Sequence, residues 1–449
     1  MNRFKILAGL AILLFLFVLT LGSNAPSLGT DASTKTFDET VYSSIGQLDT
    51  VFDNDVKLAL KQAIGSYFKA AIAAGDVVGA GVSIVQGKQV LLAEGFGIKN
   101  SLAGQKVDGR TVFRLGSLSK GFTGILASDL KGEGKLTFED KVNDYLPEFA
   151  LGDPENTQKV TLAHLLSHSS GAPYHSYTNL VEAGLSLEEI AARMVNVKPI
   201  NEPGEIYSYQ NALFALSGVM MEKVTGQEMT VSLQERFFNP LEMCATTMDF
   251  DALKETVNKA DPHVKSRRGW KSTKLTNSYF NAVAAGGINS NAEDMGKWMQ
   301  LLLGHHPDIM TPEVLQEAFT PFIRIPGRHK YYQRWPGHTA SYYGFGWRIH
   351  NFQSDDSQTE STMWHHGGSV NHFRNEIAVF PEEDLGICVL LNNQSKIARH
   401  VIIDLYRIVQ DIVQVQMGET PMNPSVVSSQ TSGSAPNNLK IIKTSHLSP

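Results

Sequence analysis

The stretch VGAGVSIVQGKQVLLAEGFGIKN, residues 78–100, alternates along its length and is rich in β-branched residues, with a Gly-Lys break between two runs. A period of two puts every second side chain on one face of a pleat, which predicts a β-hairpin. Elsewhere the period lengthens to 3.6. ALFALSGVMMEKVTG (212–226) predicts a helix closed by Gly226, because glycine readily adopts the left-handed conformation that ends a last turn. NAEDMGKWMQLLLG (291–304) predicts a second helix, with Asn291 as cap, Asp294 in the first turn, and Met295, Trp298, Met299 and Leu302 on one core-facing stripe. Near the end, GFGWRIH, NHFRNEIAVF and LGICVLLNN predict three consecutive strands, and a helix follows over about 396–415. Strands at both ends with helices between them predict an α+β fold. One sheet is built from the N- and C-terminal thirds, a mainly helical region is inserted between them, and chemistry is expected in the cleft where the two meet.

The flanks differ in composition from this body. Arg3 and Lys5 precede the uncharged run ILAGLAILLFLFVLTLG, residues 6–22, a basic and then apolar order that predicts an export signal. Ser23, Asn24 and Ala25 resemble a cleavage site, although Pro26 is a poor neighbour for processing. As a helix the run reaches about 26 Å, slightly short of a ~30 Å hydrocarbon core. Residues 1–25 are therefore either a cleaved signal peptide or a retained anchor that tethers the protein to the cytoplasmic membrane through 6–22. Both readings put the remainder outside the cytoplasm, in the periplasm or beyond. Residues 26–50 read as a linker, 51–415 as one folded domain beginning near Asp53, and 416–449 as a low-complexity disordered tail.

With 449 residues the chain has ample material for a packed core, and its net charge of -6, without a basic stripe, excludes nucleic acid as a partner. Cys244 and Cys388 are the only cysteines. They lie far apart in sequence and are expected to be two buried free thiols, with a disulfide as the alternative.

Candidate chemistry centres on RLGSLSKGFTG, residues 114–124. On a helix, positions i and i+3 share a face, so Ser117 is the partner of Lys120 and Ser119 points elsewhere. A serine hydroxyl is a weak nucleophile that needs a neighbour to accept its proton. Lysine does so only when neutral, which requires lowering its pKa from ~10.4 towards 7. Alternatively, Lys120 stays charged and lowers the pKa of a third group. Tyr209 and Asn211, in PGEIYSYQNALFALSG (203–218), supply a phenol for that role and an amide able to hydrogen-bond a substrate. WHHGGSVNHF (364–373) supplies His366, Gly367 and Gly368, where the glycines leave room for a substrate backbone along a strand edge.

Ser-x-x-Lys, then Tyr-x-Asn, then His-Gly-Gly on a late strand resembles the serine β-lactamase and penicillin-binding family. More narrowly it resembles the class C β-lactamase, D,D-carboxypeptidase and esterase branch. VFRLGSLSKGFTG, GKLTFEDKVNDYLPEF, VTLAHLLSHSSGAP, NPLEMCATTM, NAVAAGGINSNAEDMGKW and GFGWRI extend the likeness across about residues 55–412. The resemblance implies a β-lactamase-like antiparallel sheet flanked by helices. It implies Ser117 as nucleophile, Lys120 as activating lysine, Tyr209 as general base and Asn211 as the group orienting the acyl amide. His366, Gly367 and Gly368 take the place of the family's Lys-Thr-Gly triplet, and the N–H groups of Ser117 and Ser369 form the oxyanion hole. The implied chemistry is an acyl-enzyme formed on a small-molecule or peptide substrate, without metal or organic cofactor.

The triplet departs from class C β-lactamases at its first two positions, where a lysine and a hydroxyl residue are replaced by His366 and Gly367. A largely neutral histidine cannot replace a permanent cation. That favours a peptidase, amidase or esterase over an efficient β-lactamase, unless Arg374 substitutes. A slow or non-catalytic penicillin-binding or scaffold protein is the rival reading. No G-x-S-x-G occurs, which argues against an α/β-hydrolase. His164 and His168, and the pairs His305–His306 and His365–His366, lack the H-E-x-x-H pattern of a metal site. LLSHSSG is instead expected to be a structural helix end.

Overall fold

The hairpin forms as its alternation predicts: β1 (Gly79–Gln86) turns at Gly87 and Lys88 into β2 (Gln89–Gly97). The computed structural model describes Phe52, residues 54–353 and residues 359–416 of the chain. Every residue of β1 is buried, because the strand has a helical layer on both faces. The later strands of the same sheet are β3 (Ile323–Arg324), β4 (His338–Tyr343), β5 (Arg348–Gln353), β6 (Glu360–Val370), β7 (Phe373–Phe380) and β8 (Leu385–Leu391). All eight join one antiparallel sheet in the order β2-β1-β8-β7-β6-β5-β4-β3. The N-terminal hairpin thus pairs with the last strand of the chain, and the mainly helical residues 98–322 are inserted between the two halves of the sheet.

Among the described residues five longer helices frame it: α1 (Asn54–Ala73), α2 (Ser119–Gly132), α3 (Asn211–Thr225), α4 (Ala292–Leu302) and α5 (Val401–Gln416). On one face of the sheet, Leu60, Ile64 and Phe68 of α1 and Leu405 and Val409 of α5 pack on Val82, Ile84, Ile387 and Val389. On the other face, Asn291 caps α4 by accepting the Asp294 N–H at 2.8 Å, and Met295, Trp298, Met299 and Leu302 are wholly buried. Trp298 stacks on Phe122 of α2 with ring centroids 4.1 Å apart. Burying an indole of that size stabilises the fold by roughly 3 kcal/mol, and it fixes α2, the helix that follows Ser117. Gly226 closes α3 with φ 71°.

Some boundaries differ from expectation. In GFGWRIH the strand begins only at Arg348, because residues 344–347 make a tight turn with the Gly344 N–H on Trp347 O at 2.9 Å. The C-terminal helix opens as a 3₁₀ turn, Lys396–Arg399, and α5 starts at Val401. Both cysteines are free, but only Cys388 is buried. Cys244 is exposed, which corrects the expectation of two buried thiols: it follows the buried Met243 in a turn that carries its side chain outward. Among the described residues no helix is long and apolar enough to cross a membrane. The export or anchor segment, the linker over 26–50 and the tail from 417 lie outside the described residues.

Candidate active site

Ser117 stands in a 3₁₀ turn, Gly116–Leu118, that runs directly into α2. Two close approaches seat this turn on β6. A Cβ on Gly116, whose φ is 58°, would lie 2.9 Å from Ser369 N, and one on Gly368 would lie 2.1 Å from Leu115 O. The room left by Gly368 is thus filled by the protein's own backbone. A Cβ on Gly367 would likewise meet the Glu376 carboxylate and the Tyr331 hydroxyl at 2.9 Å. These glycines admit protein atoms where the sequence suggested a substrate backbone. Ser119 is fully buried and its Oγ accepts the Ile288 N–H at 3.1 Å, so it does point away from the cleft.

Lys120 is wholly buried. Its Nζ lies 2.7 Å from Ala285 O, 2.8 Å from Asn211 Oδ1 and 3.4 Å from Ser117 Oγ. Burial, aided by the positive charge of Arg348, holds its pKa well below the usual lysine value. A neutral amine has two N–H groups, which the two carbonyl oxygens satisfy, and one lone pair, which can then face the Ser117 hydroxyl. Asn211, at the first turn of α3, is turned by the Tyr279 hydroxyl, which accepts from Asn211 Nδ2 at 3.0 Å. The Tyr209 phenol stands by Ser117 and presents its ring to Nζ at 5.0 Å from the centroid. Burial pushes the Tyr209 phenol up to about 12, and Arg348 and the Ser117 hydroxyl only partly oppose it. His168, in the LLSHSSG helix end, is structural as expected: its Nδ1 accepts the Gln210 N–H at 3.1 Å and its ring packs 4.1 Å from Tyr209.

Strand β5 pairs with β6 only along 360–365, so among the described residues the outer edge of β6 has no strand partner from His366 onward. That free edge borders a cavity of about 370 Å³ lined by Ser117, Tyr209, Asn211 and Ser369 among other residues. His366 is not part of the lining. It is fully buried, its Nδ1–H donates to Gly367 O at 2.9 Å, and its Nε2 therefore accepts the Tyr343 hydroxyl at 2.8 Å. Burial, with Arg348 and Lys120 nearby, holds its pKa well below the usual histidine value. His366 is neutral, and its ring stands behind Tyr209, 6.5 Å away.

The cavity wall also holds residues that sequence reasoning missed, including Arg348, Tyr331, Tyr207 and Lys330. Arg348 follows the GFGW turn, and only its position on a strand edge could have marked it. Among the described residues no carboxylate lies within ion-pair distance of Arg348. Arg374 does line the cavity, but Glu376 accepts its Nη2 at 2.5 Å, so its charge is balanced.

An eight-stranded antiparallel sheet between helices, with Ser-x-x-Lys opening the buried helix beside it, defines the β-lactamase and penicillin-binding-protein-like class. The sequence profile described as Beta-lactamase matches residues 64–410, and the chain belongs to that family. It is similar to Protein flp of Staphylococcus aureus (strain MW2), with 24% identity over 355 residues, 78% of this chain and 63% of that protein. The match thus spans just under two thirds of flp. It is also similar to Unguisins hydrolase ungD' of Aspergillus campestris, with 26% identity over 325 residues, 70% of this chain and 58% of that protein. Two solved structures share the fold. The octameric penicillin-binding protein homologue from Pyrococcus abyssi has a TM-score of 0.65 at 23% identity, covering 80% of this chain and 78% of its own. EstCE1, a hydrolase with promiscuous acyltransferase activity, has a TM-score of 0.66 at 19% identity, covering 79% and 99%.

Proposed function

We propose that this protein is an exported serine hydrolase that cleaves an amide or ester carbonyl through an acyl-enzyme on Ser117, as a D-amino-acid peptidase, amidase or esterase does. The observation that carries this reading is the meeting of Ser117, a buried Lys120 and Tyr209 at one cavity wall. Neutral Lys120 accepts the hydroxyl proton as Ser117 Oγ attacks the carbonyl carbon. The N–H groups of Ser117 and Ser369 receive the oxyanion. Tyr209, un-ionised and next to Ser117, passes a proton to the departing amine or alcohol and is reprotonated from Lys120. Water then attacks the ester on Ser117, gives its proton back through the same groups and frees the acid.

The names of two similar proteins, a hydrolase of unguisins and the hydrolase EstCE1, support the reaction class. The neutral, internally bonded His366 supports a preference for amides or esters over β-lactams. It offers no cation at the position where the class C enzymes carry lysine, and loss of such a charge-assisted bond is worth about 1.5–3 kcal/mol. The test is a fluorophosphonate label with mass analysis of the Ser117 peptide, run beside turnover of short aryl esters and a chromogenic cephalosporin. Label lost in Ser117→Ala together with ester turnover supports the proposal. Rapid cephalosporin turnover without ester cleavage supports a β-lactamase, and an unlabelled wild type supports a binding or scaffold protein.

A further inference from the structure

Behind the cavity wall, four strands and a turn align side chains that the hydrolytic steps do not use. His338, half-buried at the start of β4, places Nε2 2.7 Å from Ser341 Oγ. That hydroxyl is 2.8 Å from His350 Nδ1 in β5. His350 Nε2 is 3.2 Å from His365 Nδ1 in β6, and His365 Nε2 is 2.8 Å from Glu376 Oε2 in β7. His350, His365 and Glu376 are wholly buried. The chain ends at the cavity: Glu376 Oε2 accepts the Tyr331 hydroxyl at 2.8 Å, Oε1 accepts Arg374 Nη2 at 2.5 Å, and both donors line the cavity.

Each link needs one donor and one acceptor, and a neutral imidazole has one N–H and one bare nitrogen. With its histidines neutral, the chain therefore closes in only two ways. In the first, His338 Nε2–H donates to Ser341, Ser341 O–H to His350 Nδ1, His350 Nε2–H to His365 Nδ1, and His365 Nε2–H to an ionised Glu376. In the second, every bond is reversed. A protonated Glu376 donates to His365 Nε2, His365 Nδ1–H to His350 Nε2, His350 Nδ1–H to Ser341, and Ser341 O–H to His338 Nε2. The second form holds one proton more. It enters at His338 Nδ1, every intervening proton shifts by one bond, and the carboxylate at the far end becomes a carboxylic acid.

We propose that this chain is a one-proton switch whose state decides whether the Arg374 guanidinium is balanced by Glu376 or free to bind an anionic group, such as a carboxylate, of a substrate in the cavity. This rests on the hydrolase reading only for what occupies the cavity. The groups facing Glu376 are Arg374 on its own strand, Tyr331 and Tyr332 from the preceding turn, Arg348 from β5, His365 from β6 and Cys388 from β8. His350 faces Arg348, His338 and His365; His365 faces Arg348 and Arg374; His338 faces Arg328. The fixed charges around the two buried imidazoles are cationic, so an added proton is driven past them onto the carboxylate. Burial pushes the Glu376 carboxyl up to about 7, against the pull of Arg374, Tyr331 and Arg348, which sets the switch near neutral pH.

Nitrogen-15 spectra of ring-labelled histidines in the full wild-type chain, taken from pH 8.5 to 5.5, test the switch directly. His350 and His365 are expected to carry their N–H at Nε2 at high pH and at Nδ1 at low pH, neutral throughout. Glu376→Gln, whose amide donates as the protonated acid does, is expected to show the low-pH pattern at every pH. Unchanged tautomers across the range, or an imidazolium at either buried position, would overturn the switch. A kinetic arm uses two aryl esters that differ only by a carboxylate on the acyl group. The expected result is a KM for the anionic ester roughly tenfold lower at pH 6 than at pH 8, with kcat and the neutral ester's KM little changed. A KM ratio independent of pH would overturn the coupling to Arg374. Failure to cleave either ester would count against the hydrolase reading, and the spectra would still decide the switch.

Discussion

Lys120 is buried beside Ser117 and Arg374 lines the cavity that Ser117 borders, and the fold gives the two cations opposite company. Around Lys120 it places neutral oxygens, from Asn211 and Ala285, and among the described residues no anion pairs with Nζ. Beside Arg374 it places Glu376 and the Tyr331 hydroxyl. Burial opposes the charge in both cases, but the nearby Glu376 and Tyr331 lift the Arg374 pKa above its usual value while that of Lys120 falls. Desolvation without a carboxylate partner makes a lysine into a base, and desolvation with one makes an arginine into a fixed charge. What a buried cation does is decided by the acceptor it is given.

The widest expected gap between the two sites comes from removing each cation in turn. Lys120→Met is expected to lower acylation by about 10⁴-fold or more, read as the rate of fluorophosphonate labelling. Its stability should be unchanged or higher. Between the lowered folded pKa and the unfolded value of 10.5 the unfolded chain holds a proton that the folded chain does not, so the buried amine costs stability at neutral pH. Loss of stability in that variant would mean that Lys120 is charged in the fold. Arg374→Met should do the reverse, leaving labelling largely intact while unfolding free energy in urea falls by about 3 kcal/mol at pH 8. The loss should be smaller at pH 6, where Glu376 takes a proton.

Tyr209→Phe sharpens the assignment of the proton acceptor. Ester turnover is expected to fall roughly a hundredfold, with Ser117 still labelled, because the lysine remains. Complete loss of labelling would make the phenol the base. The smallest effect per group is the pH dependence of stability. Burial holds His168, His350, His365 and His366 well below 6.5, so under that pH the unfolded chain takes up protons that the folded chain refuses. Each contributes a loss of up to roughly 1.4 kcal/mol per pH unit as pH falls below 6.5. Glu376 works the other way, since its raised pKa favours the folded chain as pH falls from about 7 towards 4.5. Urea titrations at pH 7, 6 and 5 should show a net decline, and a flat profile would place charged imidazoles inside the fold.

What could be read from the sequence was local. Ser117 and Lys120 are three residues apart, and helical geometry alone makes them neighbours. The stripe of Met295, Trp298, Met299 and Leu302 follows from its own period, and so does the end of α3 at Gly226. The strand-borne part of the cavity was not legible, because it depends on strand register. Arg348 faces His365, and Glu376 faces Gly367, through pairings that no single stretch of residues specifies. His366 could be placed in a motif, but its burial comes from Tyr343 on β4, a strand the pattern did not announce. The glycines of the triplet were read as space for a ligand, whereas Leu115 and Glu376 take up that space.

The pairing of Ala80 with Leu391 has a bearing on how the molecule is made. During synthesis the first hairpin emerges long before the strand that completes it, and its apolar faces must wait for nearly the whole domain to be translated. Joining such distant segments costs entropy that grows only with the logarithm of their separation, so the delay slows folding far more than it weakens the finished product. A chain stopped short of Leu385 would contain the serine, the lysine and the tyrosine, yet its first hairpin would have no strand to join it to β7 and the four strands beyond.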